Sequence, residues 1–87
     1  MLRRTRSPGQ RAQAKGRYWL GSPPTQDDWG QPITSQFIDG KSRFGPWGIF
    51  TSQSWSEHGA APITALGTGI GQLYSLQPDG KWLKTAG

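Results

Sequence analysis

Apolar and polar residues alternate in two parts of the chain, and each part predicts a pair of β-strands. The first part runs from Ile33 to Trp47 and contains Asp39-Gly40, a pair that readily adopts the positive φ angles of a tight type I′ turn. With this turn, one half-apolar face of the predicted hairpin consists of Ile33, Ser35, Phe37, Ser42 and Phe44. Such a face needs a cover, so we expect much of the remaining chain to pack on it.

The second alternating part, residues 72–84, predicts another hairpin that turns at Pro78-Asp79-Gly80. Proline at the first corner and glycine in the left-handed position are typical of a type I turn with a bulge. The predicted cross-strand pairs are Gln77 with Lys81, Leu76 with Trp82, and Tyr74 with Lys84. Leu76 with Trp82 is the pair from which we expect the most stabilisation.

A short helix is predicted between the hairpins, over residues 52–58. Thr51 is the predicted N-cap, Gly59 follows the last turn and Trp55 would be the inward residue. Gly45-Pro46-Trp47-Gly48 should end the first hairpin and let Trp47 fold back over the sheet. His58 falls in the last helical turn, where we expect its ring to meet the final carbonyls. A catalytic histidine is disfavoured, because no nucleophile or carboxylate cluster accompanies it.

Residues 66–71 are rich in glycine, but they do not have the setting of a phosphate-binding loop. Such a loop lies between a strand and a long helix, whereas these glycines precede a predicted strand. We expect their backbone to pack closely against a neighbouring element.

Residues 1–17 lack apolar periodicity and are predicted to form an extended basic arm. None of the five acidic residues lies before Gly21, and the arm holds the predicted partner-binding bases Arg3, Arg4, Arg6, Arg11, Lys15 and Arg17. Such an arm can neutralise nucleic-acid phosphates, lie along an acidic protein surface, or serve only as a solubilising tail. Composition leaves these three roles open.

Residues 18–32 form a predicted connector, rich in aromatic residues and proline, between the arm and a β-rich body of residues 33–87. Tyr18-Trp19-Leu20 would either anchor the arm in the core or present an aromatic plug to a neighbour, and Tyr18 and Trp19 therefore join the predicted partner-binding set. The acidic pair Asp27-Asp28 should cap a turn or pair with the arm.

The chain of 87 residues is long enough for one small domain, and its composition makes that domain hard to stabilise. It has 13 Gly, 7 Pro and no Cys, which excludes disulfides and thiolate metal sites, so we expect no cofactor and a partner that completes the order. A single His and five scattered acids disfavour an enzyme. No apolar run approaches the length of a membrane span or resembles a signal peptide, so we expect a soluble protein that stays where it is made.

Several motifs in combination resemble a family of small proteins encoded by tailed bacteriophages. They cover about residues 26–87 and read Gln31-Pro32-Ile33-Thr34, Asp39-Gly40, Gly45-Pro46-Trp47, His58-Gly59, Leu66-Gly67-Thr68-Gly69-Ile70-Gly71-Gln72-Leu73-Tyr74 and Asp79-Gly80-Lys81-Trp82-Leu83-Lys84. Many members of that family carry two Cys-x-x-Cys pairs, which implies a zinc-ribbon-like knuckle.

This chain departs from the family at the four cysteine positions, which hold Gln26, Trp29, Thr51 and Ser54. None of these can replace a thiolate, so Trp29 would fill by packing the place where a metal joins the first turn to the helix. The predicted fold class is a small mainly-β protein with two hairpins, one short helix, an extended N-terminal arm and a metal-free zinc-ribbon-like body. The predicted structural residues are Trp29, Phe37, Asp39, Gly40, Trp47, Trp55, Gly59, Leu76, Gly80 and Trp82.

The resemblance and the arm together favour a non-enzymatic virion accessory protein. It would bind phage capsid subunits, as cement or decoration proteins do, and clamp neighbouring subunits with its arm and aromatic anchors. One alternative is a basic phage protein that binds nucleic acid, and another is an inhibitor of a host nucleic-acid-handling protein, which would need an acidic face such as Asp27, Asp28 and Asp39 could provide. The expected location is the virion or the cytoplasm of the infected host, without membrane association.

Overall fold

Four strands and one helix follow one another as β1, β2, α1, β3 and β4. Their bounds are Gln36–Lys41 for β1, Trp47–Phe50 for β2, Ser52–His58 for α1, Gly71–Leu76 for β3 and Trp82–Ala86 for β4. A 3₁₀ turn at Ile63–Ala65 lies between α1 and β3. The computed structural model describes residues 18–87, so the predictions made for the arm and its six bases lie outside the described residues.

The strands form one antiparallel sheet in the order β2-β1-β3-β4. The small mainly-β fold with one short helix is therefore confirmed. Strand β1 lies inside the sheet and pairs with β3, which follows it by about thirty residues, so that Phe37 is opposite Tyr74 and Ile38 is opposite Leu73.

The first hairpin does not turn at Asp39-Gly40, and this prediction is wrong. Both residues lie within β1, opposite Ile49 and Gly48 of β2. The chain turns instead in a loop of residues 42–46, which the backbone bond from the Ser42 N–H to the Pro46 carbonyl closes at 2.9 Å. Trp47 consequently begins β2 rather than folding back over the sheet.

A close contact explains the glycine at position 40. A Cβ atom there would lie 2.8 Å from the Trp55 ring and 2.9 Å from the carbonyl oxygen of Ile70. Gly71 is equally close, since its Cβ would lie 2.7 Å from the Cα of Gly40. The expected close packing of the glycine-rich segment is thus confirmed at Gly71, whereas a Cβ at Gly67 or Gly69 would meet nothing within 4 Å. Gly40 likewise serves a packing need rather than a turn.

Both faces of the sheet are covered, which is why the predicted alternation fails in β1. Phe37 and Ile38 are consecutive and both are 0% exposed. We call one side the aromatic face, which contains Phe37, Ile49 and Tyr74 with Trp19, Ile33 and Trp82 packed against them. We call the other the helix face, which contains Ile38, Phe50 and Trp55 with Trp29, Leu66, Ile70 and Leu73. The predicted face that joined Phe37 to Phe44 is wrong, because Phe44 is 61% exposed.

The second hairpin forms as predicted. The Gln77 N–H donates to the Lys81 carbonyl at 2.8 Å, and the other two expected pairs, Leu76 with Trp82 and Tyr74 with Lys84, are in register. Gly80 has a φ of 88°, the left-handed conformation that the turn requires.

Helix α1 also has the predicted bounds and cap. The Thr51 hydroxyl accepts a hydrogen bond from the Ser54 N–H at 3.2 Å, and Trp55 is the inward residue at 2% exposure. Gly59 ends the helix, and its N–H donates to the Trp55 carbonyl at 2.8 Å. Its Cβ would lie 2.4 Å from the Trp55 ring, so the helix can end here only on a residue without a side chain.

Candidate partner-binding surface and its supporting knuckle

The base of the arm is fixed to the outer edge of β4. Tyr18 forms an antiparallel bridge with Leu83, and the Trp19 N–H donates to the Trp82 carbonyl at 2.9 Å. The Trp19 ring stands edge-on to Phe37 at 5.2 Å between ring centroids. The anchor interpretation of Trp19 is therefore confirmed.

Tyr18 and Leu20 lie on either side of this anchor and are both exposed. Tyr18 is 41% exposed, and the Lys81 ammonium lies 5.4 Å from the centroid of its ring. Leu20 is 57% exposed. Aromatic residues and cations that contact them are common in protein interfaces. The partner-binding role of Tyr18 stays a prediction, and its side chain is accessible to a partner.

A second exposed aromatic residue, Phe44, lies in the loop between β1 and β2. It is 61% exposed, and the Arg43 guanidinium lies 5.3 Å from its ring centroid. Sequence reasoning missed this surface because it placed Phe44 on a covered face. The Gly45-Pro46 pair that follows was the available signal, because it is typical of an exposed loop.

A buried carboxylate joins the turn of residues 27–31, called here the first turn, to the N-terminus of helix α1. The family resemblance implies a metal at this place. Asp27 is 2% exposed. Its Oδ1 accepts hydrogen bonds from the backbone N–H groups of Trp29 and Gln31, each at 2.9 Å. Its Oδ2 accepts from both the backbone N–H and the hydroxyl of Thr51, again at 2.9 Å. Asp27 caps a turn as expected, and in addition it holds the helix N-terminus.

The surroundings of Asp27 favour its ionised form. Burial acts to raise its pKa, but hydrogen bonds from the Ser54 side chain and from Thr51 and Gln31 together lower the pKa below its ordinary value of 3.8. Asp27 is therefore a fixed anion at neutral pH. It stabilises the knuckle through hydrogen bonds, at the position where the resemblance implied a metal.

Trp29 completes the knuckle on its apolar side, as predicted. Its ring stacks on the His58 ring at 4.6 Å with an interplanar angle of 4°, and it lies 4.9 Å from Phe50. Residues from the first turn, β2 and α1 therefore meet at one indole.

The predicted capping role of His58 is wrong. Its own carbonyl accepts from the Arg43 N–H at 2.8 Å, so backbone groups already satisfy the helix end. The imidazole lies flat on Trp29 instead, with Nε2 3.7 Å from a Glu57 carboxylate oxygen. Within the described residues, Nδ1 has no hydrogen-bond partner.

The outer edge of β2 is held in a similar way to that of β4. The Asp28 N–H donates to the Ile49 carbonyl at 3.0 Å, and the Ile49 N–H donates to the Asp28 carboxylate at 2.9 Å. Each outer strand therefore has connector residues bonded to it, which limits uncontrolled strand pairing.

Residues 18–87 contain five acids and four bases, but their exposed charged side chains are mostly bases. Of the five acidic residues, only Glu57 and Asp79 are exposed, because Asp27 and Asp39 are buried and Asp28 is half-buried. Three of the four bases, Lys41, Arg43 and Lys81, are exposed. Asp27 and Asp39 therefore do not contribute to an acidic face, and among the exposed charged side chains of the body the bases outnumber the acids.

A groove of about 270 Å³ lies between the connector and the start of α1. Neutral side chains line it: Gln31, Pro32, Thr34, Ser35, Gln36, Thr51, Ser52 and Gln53. These amides and hydroxyls can donate and accept hydrogen bonds, but at neutral pH they supply neither a general base nor a charged metal ligand.

Within residues 18–87, no group of three or more His, Asp or Glu side chains is placed to hold a metal ion, and no helix is long and apolar enough to cross a bilayer. The chain matches no known family model, and no curated protein or solved structure is detectably similar to it. The likeness to a bacteriophage family therefore rests on the sequence motifs alone.

Proposed function

We propose that this protein is a non-enzymatic bacteriophage virion accessory protein that binds capsid subunits, with its basic arm clamping neighbouring subunits. The observation that carries the proposal is the fixed base of the arm. Trp19 is packed on Phe37 and Tyr74 at ring distances of 5.2 and 5.3 Å, so the body holds one end of the arm in place.

Attachment at one end is what a clamp needs. A tethered segment that reaches a second subunit binds at a high effective concentration, because the first contact has already brought it close. The body can hold the fixed end because aromatic residues pack on both faces of its sheet.

Two exposed aromatic residues supply candidate anchors on the body itself. Tyr18 with Lys81 lies at the base of the arm, and Phe44 with Arg43 lies in the loop between β1 and β2. Aromatic and arginine side chains provide a large share of the binding energy in protein interfaces. A capsid contact would therefore use these pairs together with the arm.

A second candidate function is nucleic-acid binding, and the burial of Asp27 and Asp39 favours it. With these acids inside, the exposed bases Lys41, Arg43 and Lys81 extend the positive charge of the arm onto the body. For phosphate binding of this kind, the logarithm of the affinity falls linearly with the logarithm of the salt concentration.

The test uses purified phage particles that carry the wild-type protein, a variant without residues 1–17, or a body variant with Lys41 and Lys84 changed to glutamine, which leaves both proposed anchor pairs intact. We expect the arm deletion to be lost from particles on washing at moderate salt, and the body variant to remain. Retention of the arm deletion with unchanged particle heat resistance would contradict the clamp. Tight binding of the free protein to DNA, with a steep salt dependence and no particle association, would favour the second candidate.

A further inference from the structure

The groove between the connector and α1 has two walls that a buried side chain ties together. One wall contains Gln31 and Pro32 of the connector, and the other contains residues 51–53. Asp27, itself 2% exposed, accepts hydrogen bonds at 2.9 Å from the Gln31 N–H and from both the N–H and the hydroxyl of Thr51. The two walls are therefore held in place before any ligand binds, which lowers the ordering cost of binding.

Most of the polar side chains in the lining are available to a ligand. Within residues 18–87, five of them make no side-chain hydrogen bond: Gln31, Thr34, Ser35, Ser52 and Gln53. All five are exposed. The N–H and hydroxyl of Thr51 are already bonded to Asp27, so the donors and acceptors offered to a ligand are these amides and hydroxyls rather than the end of the helix.

A row of amide and hydroxyl groups continues from the groove across the sheet. Gln36 lines the groove, and its Nε2 donates to the Ser75 hydroxyl at 3.2 Å. That hydroxyl lies 2.9 Å from the hydroxyl of Thr85 in β4. The row crosses from β1 over β3 to β4, two strand spacings or about 10 Å. The polar surface is therefore long enough to contact more than one unit of an extended ligand.

The composition of the lining disfavours several ligand classes. Among the described residues that line the groove, none is charged, so a phosphate or a carboxylate would find no counter-ion, and Pro32 alone is apolar. A peptide that adds as a strand needs an open sheet edge, whereas β1 lies between β2 and β3. A neutral sugar fits better, because each sugar hydroxyl can both donate and accept, as can the hydroxyls and amides of the lining.

We propose that the groove and the row beyond it bind a neutral oligosaccharide, with one sugar ring in the groove and the next units along Gln36, Ser75 and Thr85. The groove volume of about 270 Å³ is just below the roughly 300–1,000 Å³ of pockets for drug-sized ligands, so it has room for one ring. Gln31 and Gln53 belong to opposite walls, so their amides would bond the ring's hydroxyls from two sides. This inference goes beyond the proposed function and does not rest on it.

NMR titration of the isolated full-length protein tests the proposal. The probes are four neutral trisaccharides: maltotriose, cellotriose, mannotriose and triacetylchitotriose. At least one of them should shift the side-chain amide signals of Gln31, Gln36 and Gln53, with a dissociation constant on the order of 1 mM that changes little with salt. The amide signals of Gln26 and Gln77, which do not line the groove, should stay in place.

Two variants and a matched control assign the binding to the groove. The double variant Gln31→Ala, Gln53→Ala should weaken binding about tenfold, and its urea midpoint should equal that of the wild type, since both side chains are exposed. Thr34→Arg places a long charged side chain in the groove and should abolish binding. Gln26→Ala is the control, because Gln26 is exposed in the same connector but lies outside the lining, and it should leave the affinity unchanged.

Several results would overturn the proposal. One is the absence of a shift at the groove amides with all four sugars at about ten times the expected dissociation constant. Another is an equal loss of affinity in the double variant and in Gln26→Ala. Binding of acidic saccharides alone, fading as salt rises, would place the site on the bases of the chain instead. A blocked neutral Gly-Ser peptide that shifts the groove amides when no sugar does would make the groove a peptide site.

Discussion

Replacing Asp27 with asparagine changes one polar atom of the group that joins the first turn to helix α1. The remaining carbonyl oxygen can still accept from the Trp29 and Gln31 N–H groups, which Oδ1 bonds at 2.9 Å in the wild type. The new amide nitrogen then faces the Thr51 N–H, to which Oδ2 is bonded at 2.9 Å. Two donors would face each other, so the helix loses one of the acceptors at its N-terminus.

The cost follows from the number of donors left without an acceptor. One unsatisfied backbone donor and the weaker bonds of a neutral acceptor should lower the free energy of unfolding by about 2 kcal/mol in Asp27→Asn. Asp27→Ala removes the acceptor of the four hydrogen bonds from Trp29, Gln31 and Thr51, and of the bond from the Ser54 side chain, and should cost about 4 kcal/mol. For a domain of this size, Asp27→Asn should lower the melting temperature by about 10 °C.

Urea unfolding followed by tryptophan fluorescence measures these differences, with Asp79→Asn as the matched control. Asp79 is exposed and accepts one hydrogen bond, from the Lys81 N–H at 3.0 Å, so its replacement should change the free energy of unfolding by less than about 0.5 kcal/mol. Equal effects of the two asparagine variants would show that Asp27 does not hold the knuckle.

The pH dependence gives a second readout for Asp27. Its folded-state pKa is lowered from the ordinary value of 3.8, because hydrogen bonds to the carboxylate outweigh its burial. The stabilisation is therefore complete above the unfolded value and is lost as pH falls through the lower folded value. We expect the stability difference between wild type and Asp27→Asn to be constant near neutral pH and to shrink below about pH 3.8. A difference that grows on acidification would refute the reasoning.

Two further substitutions test the packing. Gly40→Ala places a methyl group 2.8 Å from the Trp55 ring and should lower the free energy of unfolding by about 2 kcal/mol in urea titrations; an unchanged midpoint would mean that the ring does not need this space. Trp19→Ala removes a half-buried ring from the aromatic face and should cost about 2 kcal/mol by the same measurement, whereas Leu20→Ala, at a side chain 57% exposed, should be nearly neutral. Equal effects at these two positions would contradict the anchor.

The elements that could be predicted from the sequence are those defined by short-range chemistry. The Pro78-Asp79-Gly80 turn fixes the register of the second hairpin, and Thr51 with Gly59 marks the ends of α1. Each of these signals acts over a few residues, so no knowledge of the tertiary structure is needed to interpret it.

The first hairpin could not be predicted because Gly40 is required by contacts with residues distant in sequence, not by a turn. Asp39-Gly40 has the composition of a turn, but the space at Gly40 is taken by Trp55, fifteen residues later, and by Ile70. Strand β1 is also covered on both faces, so it lacks the alternation on which the predicted face depended.

The knuckle was predicted only in part, for the same reason. The packing of Trp29 could be predicted because the resemblance puts Trp29 at one of the four positions that hold cysteine in that family, whereas the role of Asp27 depends on donors from Thr51, 24 residues away. Phe44 was misplaced by the error in the turn. It is exposed because β1 continues to Lys41, which places Phe44 in the loop that follows.

The most direct test of the account is the amount of this protein in purified phage particles, measured by quantitative mass spectrometry against the major capsid subunit. A virion accessory protein should be present at a fixed, high copy number per particle, and that number should survive repeated washing at low salt. Abundance in infected-cell extract together with absence from the particles would contradict the proposed function.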